Sequence, residues 1–281
     1  VGYANSMALK SKQKYVRSSL NAGQIELLEL VYKYRFISRQ LVADCLNITY
    51  GSSIYEKLEV LVKGDYLGKR FDKQLKLQAV PAAYYLTPKG MRYLQSQPEH
   101  DLILDSAIKN SYKDKTVGQD FISHTLNVCK YTNMLRRHYP ELKVFTRRDM
   151  SRYSYFPSQL PDAFLSLPLE EGEQPKRFFF DLISDNMPRL ALDRRIANYC
   201  EFFDEGGWDV TNSEWPILLL LCERTSTEKR AQRYVRATLN RLDMEDLSAY
   251  TTAIPLLEDT AGLDIWTSIE DADELASLSS L

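Results

Sequence analysis

The run WPILLLLCE, residues 215–223, contains six consecutive apolar positions, Ile217 to Cys222. So short an unbroken stretch suits a β-strand covered on both faces: a half-exposed strand alternates with polar residues, and a helix needs more length. The flanking segments supply neighbours for such a strand. LKVFTRRDM, PDAFLSLPL and KRFFFDLISD read as three more strands, separated by turn-forming stretches such as 170–175. LALDRRIANYCEFF and STEKRAQRYVRATLNRL carry helical spacing, and TAIPLL reads as a last strand. One long helix is expected from Gly118 to His138, with Phe121, Leu126, Val128 and Leu135 as apolar positions. Helix, three strands, helix, strand, helix, strand describes an α/β (α+β) sandwich with a mixed central sheet over 112–257.

A different pattern occupies residues 20–97. GQIELLELVYKYR places Ile25, Leu28, Val31 and Tyr32 at helical spacing. In FISRQLVADCLNIT, Ser38 is the expected N-cap of a shorter helix with Leu41, Val42 and Cys45 on its apolar face. SSIYEKLEVLVKGDYL opens on a second Ser cap, repeats apolar residues at Ile54, Leu58, Leu61 and Val62, and stops at Gly64. Two strands, YLGKRF and AAYYLT, follow, joined by a basic connection from Asp72 to Pro81; Thr87 and Pro88 then start a closing helix. Three helices, a two-stranded wing and a closing helix make a winged helix-turn-helix. Between the two patterns, Gln95 to Asp105 reads as a polar, loosely ordered link.

Charge is distributed unevenly along the chain. Val1 to Glu99 carries 15 Lys/Arg against 8 Asp/Glu, the remainder 21 against 30, for a formal net charge of −2. The segment 258–281 holds 7 acids and no basic residue, interleaved with Leu263, Ile265, Trp266 and Ile269, and reads as an acidic tail that docks on a partner or on its own protein. A basic front suits double-stranded DNA: the third helix enters the major groove while wing cations displace counterions from phosphate. The expected contacts are Arg39, Ser52, Ser53, Tyr55 and Lys57 around the recognition helix, and Lys69, Arg70, Lys73 and Lys76 on the wing. Lys229, Arg230 and Arg233, on the basic helix of the second unit, would extend the track; a solvated helix face is the alternative. Winged helices also dock proteins, and they commonly pair on two half-sites, which admits a homodimer.

Cys45, Cys129, Cys200 and Cys222 form no C-x-x-C pair, which argues against a zinc cluster or a disulfide framework and for a reducing, cytoplasmic setting. No apolar run approaches the roughly 18 residues of a membrane span, so no membrane role is expected. His100, His124 and His138 are not spaced as a metal set, and His124 reads as a polar contact on its helix. No phosphate-binding glycine loop is present.

The second unit resembles the restriction-endonuclease-like fold. In that family a Pro-Asp pair at a strand end, and an acid followed by Lys on the next strand, converge on a metal ion. Pro161 and Asp162 fit the first element and Asp181 the second, with Ser184 and Asp185 as further oxygen donors and Arg194 or Arg195 as nearby charge. The position two after Asp181 is Ile183, not Lys. The resemblance implies catalytic Asp162, Asp181 and Asp185, with Mg2+ on Asp162 and Asp181, only if the nuclease chemistry persists; otherwise no cofactor is expected. Taken together, YYLTPKG, the PD pair, FFFDLISD and the ILLLLCE strand resemble the replication-relaxation family of plasmid and mobile-element proteins, from about Gly23 to Leu257. That resemblance implies a DNA-binding accessory factor at a replication or transfer origin, partnered by a relaxase or replication protein. The rivals are a metal-dependent nuclease and a winged-helix transcriptional regulator.

Overall fold

The computed structural model describes residues 20–71, 80–100, 103–169, 173–259, 264–271 and 275–281. The N-terminal unit has the element order of a winged helix-turn-helix. Helix α1 (Ala22–Tyr34) leads to a two-residue strand β1 (Ile37–Ser38), α2 (Arg39–Leu46), α3 (Ser52–Lys63), β2 (Leu67–Arg70), β3 (Ala83–Leu86) and α4 (Pro88–Gln95). Local chemistry sets these boundaries. Asn21 closes a capping box with Gln24 at the start of α1, Ser38 Oγ accepts from the Leu41 N–H at 3.2 Å, and Thr87 Oγ1 accepts from the Gly90 N–H at 3.1 Å behind Pro88. Gly64 ends α3 as expected, but its N-cap is Gly51, with Ser52 already helical and no side-chain cap bond.

The wing strands pair antiparallel from Leu67↔Leu86 to Arg70↔Ala83, and β1 adds to the far edge of β3 through Ile37↔Tyr84, giving a three-stranded sheet where two strands were expected. Gly90 lets α4 lie against β2, since a Cβ there would overlap the Tyr66 carbonyl oxygen. Lys73 and Lys76, at the expected wing tip, lie outside the described residues.

The stretch after α4 differs from the loose link expected. It forms a 3-10 turn (Pro98–His100), α5 (Asp105–Asn110) and a second 3-10 segment (Ser111–Lys115), and it buries Ile103 and Ile108 in the N-terminal core. Ile103, inside the expected link, and Ile108, beyond it, provide the apolar area that holds this stretch to the core.

Helix α6 (Gln119–His138) belongs to both cores. Ile122, Leu126 and Cys129 pack with the winged unit, whereas Val128, Tyr131 and Leu135 cover the sheet of the second unit. That sheet has seven strands in the order β10-β9-β8-β7-β6-β5-β4. Strands β4 (Lys143–Thr146), β5 (Ala163–Leu167) and β6 (Lys176–Ile183) form an antiparallel meander; β6, β7 (Ile217–Cys222) and β8 (Ala249–Ala253) run parallel, connected through α8 (Arg189–Asp204) and α9 (Thr225–Arg241). The class is therefore α/β with a mixed central sheet, in the expected element order. Leu218 to Cys222 are fully buried, as the apolar run requires.

Side-chain alternation along β6 divides the two faces. Phe178, Phe180 and Leu182 face α6, while Phe179 and Ile183 face α8 and α9. Two departures from the sequence reading lie nearby. RRDM is not strand but one helical turn, α7 (Arg147–Met150), opened by a Thr146–Asp149 capping box, and IPLL is helical within α10 (Ile254–Asp259). The acidic segment is also structured: β9 (Trp266–Ser268) pairs with β8, β10 (Leu275–Ala276) pairs with β9, and Trp266 and Leu278 are fully buried. Ile265, Trp266, Ile269 and Leu278 are thus buried with the chain's own sheet, while Leu263 lies outside the described residues. No helix among the described residues is long and apolar enough to cross a membrane.

Candidate functional site

The outward face of α3 carries exposed Ser52, Ser53, Tyr55, Glu56 and Lys57, while Ile54, Leu58 and Leu61 anchor the opposite face in the core. Arg39, at the start of α2, lies 4.2 Å from the Tyr50 ring and 5.7 Å from the Tyr55 ring, and hydrogen-bonds the Tyr50 hydroxyl. Lys69 on β2 sits 5.5 Å from the same Tyr55 ring and donates to Glu59 at 2.6 Å. Partial burial lowers the Lys69 ammonium, but the Glu59 bond and charge outweigh it and hold it above its usual range. Arg39, Tyr50, Tyr55 and Lys69 thus form one cation–aromatic cluster beside the exposed start of α3.

Arg70 is differently employed. Its guanidinium donates to the carbonyls of Lys115 at 2.9 Å and Val117 at 3.0 Å, tying the wing to the segment before α6. On α9, Lys229 and Arg233 are exposed, while Arg230 donates to the Asp185 carbonyl at 2.9 Å.

The two acids of the nuclease-like pattern do come together. Asp162 lies immediately before β5 and Asp181 on β6; the Asp162 N–H donates to Asp181 Oδ1 at 3.1 Å, and the Leu182 N–H donates to Asp162 Oδ2 at 2.9 Å. Asp185 is engaged elsewhere, paired with Arg224 at 2.7 Å and accepting from the Thr227 hydroxyl.

Cations and donors surround the buried pair. Arg195 reaches from α8 to Asp181 Oδ1 at 2.5 Å and lies 3.8 Å from Asp162; the Tyr199 hydroxyl donates to Asp181 Oδ2 at 2.8 Å. Arg147 from α7 lies 2.8 Å from Asp162 Oδ1, and His124 Nε2 from α6 lies 2.9 Å from Asp162 Oδ2. Burial raises the Asp162 carboxyl, but the His124 bond and the charges of His124, Arg147 and Arg195 outweigh it and hold it at about 2. The Asp181 carboxylate in turn raises the Arg195 guanidinium above its usual range, and burial raises the Tyr199 phenol.

This donor set does not fit Mg2+. A hard cation needs free carboxylate oxygens, and all four oxygens of the pair already accept from or face N–H and O–H groups, with two guanidinium charges neutralising the two acids. Among the described residues no group of three His, Cys, Asp or Glu side chains is placed to hold a metal ion. Ile183 shares the α8 face of β6 with Asp181 and is buried in one apolar cluster with Leu192 and Ile196, so an apolar side chain stands at the position where the sequence resemblance implied a Lys.

Sequence reading reached Asp162, Asp181 and Arg195 but missed Arg147, and it treated His124 as a helix contact without naming its partner. Arg147 was hidden by the assignment of RRDM to a strand, although Thr146 and Asp149 already had capping-box spacing.

No family model matches the chain, and no curated protein matches it. Among solved structures it is similar to that of the restriction endonuclease FokI, with 12% identity and a TM-score of 0.28, over 83% of this chain and 42% of that one. The chain thus spans less than half the length of that protein.

Proposed function

We propose that this chain binds double-stranded DNA through the exposed face of α3 and acts as an accessory factor at a replication or transfer origin of a plasmid or mobile element, positioning a relaxase or replication protein there. The observation that carries the DNA reading is the composition of that face: two serines, a tyrosine and a lysine stand outward on a helix anchored by Ile54, Leu58 and Leu61, with Arg39 held beside them on two aromatic rings. Hydroxyls, amines and guanidinium are the groups that bond phosphate and base edges, and the exposed Glu56 carboxylate accepts from cytosine amino groups. The origin assignment rests on the resemblance of YYLTPKG, the PD pair and FFFDLISD to the replication-relaxation family.

Within this reading the second unit is a scaffold. Its acid pair joins β5 and β6 to α6, α7 and α8 through Arg147, Arg195 and His124. The test is capture of fragmented plasmid and chromosomal DNA by the full chain, followed by sequencing. Enrichment at origins supports the proposal, enrichment at promoters replaces it with a transcriptional regulator, and the absence of any enriched duplex contradicts it.

A further inference from the structure

A cleft of about 740 Å3 opens between the end of α1, the 105–114 segment, the first half of α6 and α7. Its lining is strongly cationic. Arg35 and Arg147 are neutralised by Asp114 at 2.7 Å and Asp162 at 2.8 Å. Four further lining cations, Lys33, Lys113, Arg148 and Arg152, have no carboxylate within ion-pair distance among the described residues.

Arg148 is the most telling of these. Its guanidinium lies 4.4 Å from the Tyr32 ring, and its polar contacts are the Tyr32 hydroxyl and, at 3.5 Å, the Met91 sulfur, neutral acceptors for a group with five strong donors. Burial lowers this guanidinium, and Tyr32 and the more distant Asp114 carboxylate offset that only in part. Arg152 reaches the same ring from 5.8 Å and donates to the Tyr32 hydroxyl at 3.4 Å. A half-buried guanidinium with no carboxylate in ion-pair contact is the arrangement that an anionic ligand completes, and forked Arg donors match phosphate oxygens.

Size narrows the ligand. A volume of 740 Å3 falls within the range of small-molecule sites, about 300–1,000 Å3. A duplex is too wide to enter a cleft of this volume. The Phe121 ring, on the same wall and partly exposed, adds apolar surface suited to a nucleobase or ribose.

We propose that this cleft binds a phosphorylated nucleoside, its phosphates meeting Arg148, Arg152 and Lys113. The ligand is either a free nucleotide or the 5′-phosphorylated end of a single strand. This site is separate from the α3 face and stands whether or not that face binds duplex.

The experiment is titration of the full chain, at low ionic strength, with a fluorescent adenosine triphosphate analogue, a 5′-phosphorylated single-stranded oligonucleotide, the same oligonucleotide without phosphate, and inorganic pyrophosphate. Saturable binding of the nucleotide, the phosphorylated strand or both is expected, and which of them binds identifies the source. The double variant Lys113→Glu and Arg152→Glu, at two exposed positions, should weaken that binding at least ten-fold and leave duplex affinity unchanged. Failure of both phosphorylated probes to bind, equal binding by the double variant, or equal affinity for pyrophosphate or the unphosphorylated strand would overturn the proposal.

Discussion

Arg195 donates to Asp181 at 2.5 Å from the helix that follows the strand carrying Asp181, so a guanidinium occupies the carboxylate that was expected to face a metal ion. The pair is almost wholly buried, with side-chain exposures of 14% and 0%. Removing one partner leaves the other charge uncompensated. Arg195→Leu should destabilise the protein by about 3–5 kcal/mol in denaturant unfolding, whereas a solvated surface pair would lose under about 1 kcal/mol.

Acid sensitivity should trace to Asp162. Its folded carboxyl titrates at about 2, below the roughly 3.9 of an unfolded chain, so the folded state binds fewer protons and gains about 2 kcal/mol above pH 4. That contribution is present above the unfolded value and is lost as pH falls through about 2. Unfolding free energies measured between pH 5 and pH 2 should fall more steeply for the wild type than for Asp162→Asn; parallel curves would contradict this.

Ile183→Lys supplies the Lys that the sequence resemblance implied but places an ammonium in the apolar cluster of Leu192 and Ile196. It should destabilise the chain by several kcal/mol, on the order of the cost of a buried unpaired charge. It should also yield no Mg2+- or Mn2+-dependent nicking of supercoiled plasmid, because the oxygens of Asp162 and Asp181 remain occupied by Arg147, Arg195 and Tyr199. Nicking that requires Asp162 would contradict the metal-free account.

Much of this architecture was legible because it is written locally. Caps at Ser38 and Thr87, the stop at Gly64 and the apolar run of β7 each depend on residues within one turn or one strand. Elements formed by distant pairing were not legible. Strand β1 exists because Ile37 meets Tyr84, and the strands of the acidic segment exist because Thr267 meets Thr251; neither register has a local signature. The signal that acidity masked was apolar: Ile265, Trp266 and Ile269 are all buried. At the site, both acids were visible as types and positions, but the cations opposing them arrive from α6, α7 and α8, and their convergence is a property of the packed fold.

Trp266 therefore behaves as core. Trp266→Ala should cost about 3–5 kcal/mol, and truncation after Glu258 should lower the thermal midpoint rather than merely raise DNA affinity by removing negative charge. An unchanged melting curve after truncation would show that β9 and β10 add nothing to the sheet.

Duplex binding is the claim on which the functional account stands, and it is best measured on the full chain, because Ile122, Leu126 and Cys129 of α6 complete the winged unit's core. The decisive measurement is the affinity of the full chain for duplex DNA across a salt series, beside the double variant Arg39→Ala and Lys57→Ala. The account predicts binding that weakens as salt rises, with the variant weaker and its salt slope shallower by about one for each phosphate it no longer neutralises. Absence of duplex binding at low ionic strength, or a variant indistinguishable from the wild type, would contradict it.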